Sequence, residues 1–391
     1  MEEHGYEAMR VADVLKLSGV SRTTFYEYFA NKEECFLSVL DEIQEGALEQ
    51  LRATIKQTAG SWEDRLHAMF ERLVAIVVDQ PAAAHMCFVE VFAAGPEAAE
   101  RHTQALTKLQ RLVAKQLGES PDRSDLPPAV VRGLIGGARK VIASRLLRHE
   151  EQQLREDLPQ LWAWALAYTS PPTPLKRRRL SGPAESPVRF EVNDRLDRVL
   201  ASIATVAERE GYAKLTVSDI VAEAATSRSV FYEHFSNKKE AFLAAYEAGL
   251  DQTFEAVLEQ YRDAPDWESG VHAGLNALLS YLAVEHGWAT LGLVEIFSAG
   301  SDALERVDGA IQAFEVLLGP GYNSSPDASP IYAEAIGGAV YALVQDEVRT
   351  RGPEKLPELL PFVSFLGLAP FIGTDKAQSV ANRRVALAPE R

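Results

Sequence analysis

The sequence predicts an all-α chain in which one helical unit occurs twice. Three observations carry this. A 33-residue string from Gly5, GYEAMRVADVLKLSGVSRTTFYEYFANKEECFL, returns from Gly211 as GYAKLTVSDIVAEAATSRSVFYEHFSNKKEAFL, at a constant offset of 206 with 15 identities. Ordinary composition would give roughly two. Apolar residues recur at helical spacing, as in Phe36, Leu37, Leu40, Ile43, Ala47 and Leu51, and in Phe242, Leu243, Tyr246, Leu250, Phe254 and Leu258. No Asn-Gly turn separates alternating apolar runs, so nothing indicates hairpins.

Composition bounds the class. The chain has 391 residues, 47% apolar and 25% charged, an ordinary globular mixture with room for two or three domains. A net charge of −16 argues against a bulk electrostatic grip on nucleic acid, so any DNA contact must be local. The two cysteines, Cys35 and Cys87, lack ligand spacing, which points away from a disulfide framework or thiolate zinc site and toward a reducing, cytoplasmic setting. The polar start MEEHGYEAMR is not a signal peptide. The run from Leu359 to Thr374 is short and broken by Pro361 and Pro370, so it reads as a buried helix and no membrane is expected. No phosphate-loop, zinc-protease, nucleophile-elbow or dinucleotide motif occurs, so no enzyme, metal or cofactor is expected.

Within each copy a short helix (about Val11–Leu17) is expected to turn at Ser18-Gly19 into a second short helix (about Ser21–Tyr28). A long helix follows, capped by Asn31 with Glu34, and in the second copy by Asn237 with Glu240. Ser61 opens another helix, and Gly95, Gly118 and Gly319 sit where helices should stop. Downstream the echo continues: VEVFAAG (Val89–Gly95) with VEIFSAG (Val294–Gly300), IGGA at Ile135 with IGGA at Ile336, and LPQL at Leu158 with LPEL at Leu356. Whole domains are therefore duplicated. The segment Ser170–Pro187, rich in Pro and Ser, reads as a linker, and the tail from about Gly373 as loose.

Two short helices around a tight turn make a helix-turn-helix, whose second helix can enter a major groove. The full string, with Gly-Val-Ser, an aromatic pair, a final Phe and Lys-Glu at the next helix start, resembles the DNA-binding domain of TetR-family transcriptional regulators. The resemblance extends twice along nearly the whole chain. It implies an all-α architecture of two tandem TetR-like units, each a helix-turn-helix domain plus a larger helical ligand-binding and dimerisation domain. The expected divisions are 1–45 (first DNA-binding domain), 46–169 (first body), 170–190 (linker), 191–250 (second DNA-binding domain), 251–373 (second body) and 374–391 (tail).

Site residues follow. Phe25, Phe29, Phe231 and Phe235 recur at i, i+4 and should pin each reading helix to its core. Ser21, Arg22, Thr23, Thr24, Tyr26 and Tyr28, and in the second copy Ser227, Arg228, Ser229, Tyr232 and His234, lie on the other faces and suit phosphate oxygens and base edges. Thr216 caps the helix before them. The resemblance implies that the Tyr positions, with Lys32 and Lys238, touch the backbone of double-stranded DNA. Lys176, Arg177, Arg178 and Arg179 form either a basic arm along DNA or a solvated linker. The family keeps an apolar pocket for a small apolar effector. Trp62, Phe70, Met86, Phe92, Tyr281, Trp288 and Phe297 are the candidates for it, or are ordinary core. Gly133, Gly136 and Gly137, and Gly337 and Gly338, allow close helix approach, either between the two halves or inside one domain.

The copies depart from the pattern in two places. Before Gly211 a helix is expected over about Asn193–Glu210, with Leu196, Val199, Leu200, Ile203 and Val206 on one stripe; before Gly5 there are four residues. Either a start lies upstream or this half is weakened, uncovering Phe25, Phe29 and Val14. Ala225 stands where the first copy has the turn residue Gly19, a cost of about 1 kcal/mol if φ is positive there. The expected function is a DNA-binding transcriptional regulator, a repressor relieved by an effector, whose halves pair within one chain. The alternative is a ligand-binding or interaction module that has lost DNA binding.

Overall fold

A computed structural model describes residues 5–180, 182, 185–186 and 189–383. Among these there are nineteen α-helices and no strand. The first half contains α1 (Gly5–Ala8), α2 (Val11–Ser18), α3 (Arg22–Tyr28), α4 (Lys32–Gln57), α5 (Trp62–Asp79), α6 (Pro81–Phe88), α7 (Pro96–Leu117), α8 (Pro128–Leu147) and α9 (Leu154–Leu166). The second contains α10 (Arg195–Glu210), α11 (Val217–Glu223), α12 (Arg228–His234), α13 (Lys238–Arg262), α14 (Trp267–Val284), α15 (His286–Leu293), α16 (Ser301–Glu315), α17 (Ile331–Arg351), α18 (Leu360–Ile372) and α19 (Thr374–Ala381).

Local chemistry explains the starts. The Asn31 and Asn237 carboxamide oxygens accept from the N–H of Glu34 (2.8 Å) and Glu240 (2.9 Å). The two glutamates reach back one residue further than a standard capping box, to the N–H of Ala30 and Ser236. Ser61 and Asp64 close a full box on α5. Gly118 ends α7 as expected, but Gly95 opens α7 at φ +100° and Gly319 lies inside the 3₁₀ turn Val316–Asn323. Because α4 and α13 run unbroken from head into body, the divisions expected at 45 and 250 fall inside helices.

The apolar segment near the C-terminus is α18, every residue of which is buried except its last, Ile372. With the preceding 3₁₀ turn it makes Pro353–Ile372, long and apolar enough by length and composition to cross a membrane, but 83% buried inside the protein. Core burial accounts for its composition. Two expectations of looseness are corrected. Residues 374–381 form α19, whose Ala377, Val380 and Ala381 are buried; residues 384–391 lie outside the described set. The linker is docked from its start: Leu175 is buried and the Thr173 carbonyl accepts from Gln378 at 2.5 Å.

Between the halves, α8 and α17 make the largest helix pairing in the molecule. Small residues allow it. A Cβ on Gly136 would stand 2.4 Å from the Ala342 Cβ, one on Gly137 2.4 Å from the Ala335 carbonyl oxygen, and one on Gly338 2.2 Å from the Lys140 Cβ. Gly133 meets Leu366 of α18 in the same way, at 2.6 Å. Gly337 is a correction: its Cβ would meet Ile311 of its own half, so it belongs to internal packing. Ion pairs line the seam. Lys140 pairs with Asp308, Arg132 with Asp346, and Arg145 with Glu334 at 3.3 Å.

Candidate functional site

Each reading helix is about two turns long and pinned from beneath. Phe25 and Phe231 are buried and stack obliquely on Phe29 and Phe235 at 5.4 and 5.6 Å. Ser21 and Ser227 are spent as N-caps, accepting from Thr24 N–H (3.1 Å) and Val230 N–H (3.3 Å), and Thr24 Oγ1 also lies 2.9 Å from Ser21 Oγ. Thr216 is likewise occupied, exchanging hydrogen bonds with Asp219 in a capping box. What faces outward is Arg22, Thr23, Tyr26 and Tyr28 on α3, and Arg228, Ser229, Tyr232 and His234 on α12, all exposed. Tyr28 is 74% and Tyr232 57% accessible, a large exposure for phenols with no core role.

Lys32 and Lys238 are placed otherwise than expected. Each ammonium donates to the carbonyl of a tyrosine at the head's entry, Tyr6 or Tyr212, at 2.9 Å, and lies over that ring at 4.1 and 4.3 Å. Burial draws the Lys238 pKa down. Both lysines therefore fasten the entry turn to the long helix instead of standing out toward a phosphate.

That entry turn is tied to the body by a carboxylate, which sequence reasoning missed. Glu90 Oε2 accepts from Tyr6 N–H at 2.7 Å, and Glu295 Oε2 from Tyr212 N–H at 2.6 Å. Gly5 and Gly211, at φ +69° and +76°, let the carboxylate come within 3.4 and 3.3 Å of where a Cβ would be. The signal was present: both glutamates sit in the repeated Val-Glu-x-Phe string, and both glycines open the repeat.

The heads differ as expected in direction. In the second, α10 packs on α11 and α13, and Ile220, Phe231 and Phe235 are all buried. In the first, α1 is one turn, Val14 and Phe29 are only half-buried, and α2 buries no residue; Leu17 is 87% exposed. Phe25 nonetheless stays buried, contrary to expectation. The turn defect is also realised: Gly19 has φ +69° and Ala225 φ +49°. Ala225→Gly should therefore stabilise the second head by about 1 kcal/mol, read as a rise in denaturant midpoint with unchanged slope.

The basic cluster is held by the second body. Arg177 donates both Nη atoms to the carboxylate of Glu347, at 2.6 and 2.8 Å, and Arg178 donates to Asn276 at 2.9 Å. Two of the four charges of the expected arm are thus engaged, while Lys176 and Arg179 remain exposed.

The bodies enclose unequal cavities. The first, about 450 Å³, lies among α4 to α9 and is lined by Trp62 and Phe70 with Leu73, Phe88, Leu109 and Trp162. The second is about 170 Å³ and includes Trp288. The repeat explains the difference. Trp288 occupies the place of Ala83, and its indole fills the space over Gly249, where a Cβ would meet it at 2.5 Å. The remaining candidates lie elsewhere. Met86 and Tyr281 are buried in core beside the cavities, and Phe92 and Phe297 stack on each other across the halves at 4.8 Å.

Comparison with known proteins adds the decisive observation. The family described as bacterial regulatory proteins, tetR family, matches the chain twice, over residues 1–39 and 199–245. Both heads are similar to the DNA-binding domain of that family. The tetR-type matches support a DNA-binding transcriptional regulator of helix-turn-helix class. No curated protein matches the chain at a significant level. Among solved structures it is similar to a fatty acid degradation regulator, FadR from Bacillus halodurans, at 20% identity, over 46% of this chain and 96% of that one, with a TM-score of 0.42.

Proposed function

We propose that one chain of this protein is a complete regulator: two tetR-type heads on two bodies that pair with each other inside the chain. The supporting observation is the α8–α17 crossing, where glycines from both halves meet and ion pairs close the edges. The covalent link keeps the halves at an effective concentration of about millimolar, which favours this pairing over pairing between chains. A site read by α3 and α12 is then non-palindromic, because one head presents Thr23 and Tyr28 where the other presents Ser229 and His234.

The regulator acts as a repressor, and a small apolar effector in the first body releases it. An effector shifts the DNA equilibrium only by its differential affinity for the two arrangements of the heads. The Glu90–Tyr6 tie offers a short path from cavity wall to head, since Glu90 follows α6, which lines the cavity.

A gel shift against DNA from the protein's own promoter region separates this reading from a module that has lost DNA binding. Tyr232→Ala should cost about 1–3 kcal/mol, roughly fivefold to 150-fold in affinity, and more than Tyr26→Ala, because α10 makes the second head the better-scaffolded one. Equal loss at both would remove the inequality between the heads.

A further inference from the structure

The first cavity has a polar end that its apolar walls do not explain. Arg139 of α8 and His102 of α7 line both the 450 Å³ cavity and a smaller one, about 110 Å³, at the seam between α7, α8 and α17. They therefore stand where the two spaces adjoin. His102 is 4% exposed. Its Nδ1 lies 3.2 Å from the Gln44 Nε2, and a carboxamide N–H can only donate, so Nδ1 accepts and the proton sits on Nε2. That buried Nε2–H has no acceptor among the described residues.

Arg139 is equally unmatched. No ion pair to it occurs among the described residues, and its guanidinium rests 5.5 Å from the Phe92 ring centroid. A second guanidinium, Arg349 from the other half, lies 5.8 Å from the same centroid. The nearby carboxylate Asp346 is taken by Arg132. Burial draws Arg139 down to about 10, with Tyr341 opposing the shift and the like charge of Arg349 adding to it, and burial with both arginines draws His102 down to about 3. Arg349 is exposed and has the Glu295 and Asp346 carboxylates as electrostatic partners, so the uncompensated groups are the Arg139 guanidinium and the orphaned His102 donor, which are costly beside an apolar cavity unless an anion joins them.

The repeat shows that this end belongs to one half only. Glu100-Arg101-His102 aligns with Glu305-Arg306-Val307, and Ile135-Gly-Gly-Ala-Arg139 with Ile336-Gly-Gly-Ala-Val340. In the second half both polar groups are valines, and Trp288 leaves a cavity of only about 170 Å³.

We propose that the first body binds one amphipathic carboxylate per chain, its apolar part in the cavity and its carboxylate on Arg139 and the His102 Nε2–H, with Arg349 at the seam. This deepens the effector reading above and rests on it only for the consequence at DNA. The second body takes no such ligand. The carboxylate also neutralises cations contributed by both halves, so its binding acts directly on the α8–α17 seam.

Calorimetry on the full chain, without DNA, compares decanoate with decan-1-ol. Decanoate should bind once per chain and about tenfold or more tighter than the alcohol, the range for a charge-assisted contact. Arg139→Met should abolish that preference while keeping decanol affinity, and a retained decanol isotherm shows that the variant is folded. Arg349→Gln, at an exposed position, should lower the preference more modestly. Equal binding of acid and alcohol, no binding of either, two sites per chain, or an unchanged preference in Arg139→Met each overturns the proposal. A gel shift run without ligand reports on DNA binding independently, so failure of the carboxylate site and failure of the regulator reading give different results.

Discussion

Gly338→Leu should separate the paired bodies and abolish specific DNA binding while each half remains helical. Even the first atom of the new side chain would stand 2.2 Å from the Lys140 Cβ and 3.3 Å from the Gly136 carbonyl oxygen, so α8 and α17 must move apart to admit it. Overpacking alone costs about 1–3 kcal/mol. Displacing Lys140 also breaks its buried pair with Asp308, and losing one partner of a buried pair costs about 3–5 kcal/mol. Small-angle scattering should show an extended molecule, with helical content unchanged by circular dichroism. Gly337→Leu makes the contrast: its clash is with Ile311 inside one body, so it should lower the stability of the second half without splitting the chain.

Glu295→Ala should weaken DNA binding about tenfold to a hundredfold with the halves still paired. The carboxylate fixes the Tyr212 N–H, and Tyr212 in turn stacks on Phe242 at 4.6 Å and carries Lys238 on its carbonyl. A hydrogen bond to a charged group contributes about 1.5–3 kcal/mol, and here it joins the entry turn of the head to the body alongside the unbroken α13. Glu295→Gln keeps an acceptor and should recover part of the loss. If Glu295→Ala leaves affinity and salt dependence unchanged, the tie does not orient the head.

Much of this architecture was legible because the chain contains its own comparison. The gapless offset of 206 marked the heads, and the helical period and caps at Asn31, Asn237 and Ser61 marked where helices begin. The positive φ at Ala225 followed from the glycine at position 19. The misplaced residues share a physical cause: their type was informative but their direction was not. Phe92 and Phe297 have pocket-like chemistry, yet face each other across the halves, and Lys32 and Lys238 sit at a helix start suited to an anion but reach a nearer tyrosine carbonyl. Composition alone suggested looseness for the linker, where Glu347, buried on another element, recruits Arg177. His102 and Arg139 were missed because a single His or Arg in a helix carries no pattern; only alignment of the two copies, with valine in both counterpart positions, sets them apart.

The central claim, one chain with two working heads, is tested most directly by the mass of the complex on DNA. Light scattering of the purified chain should give a mass near 43 kDa free, and one chain per duplex when it is mixed with its cognate promoter fragment. A dimer that persists on dilution without DNA, or two chains on every duplex, would contradict the account and place the functional pairing between chains.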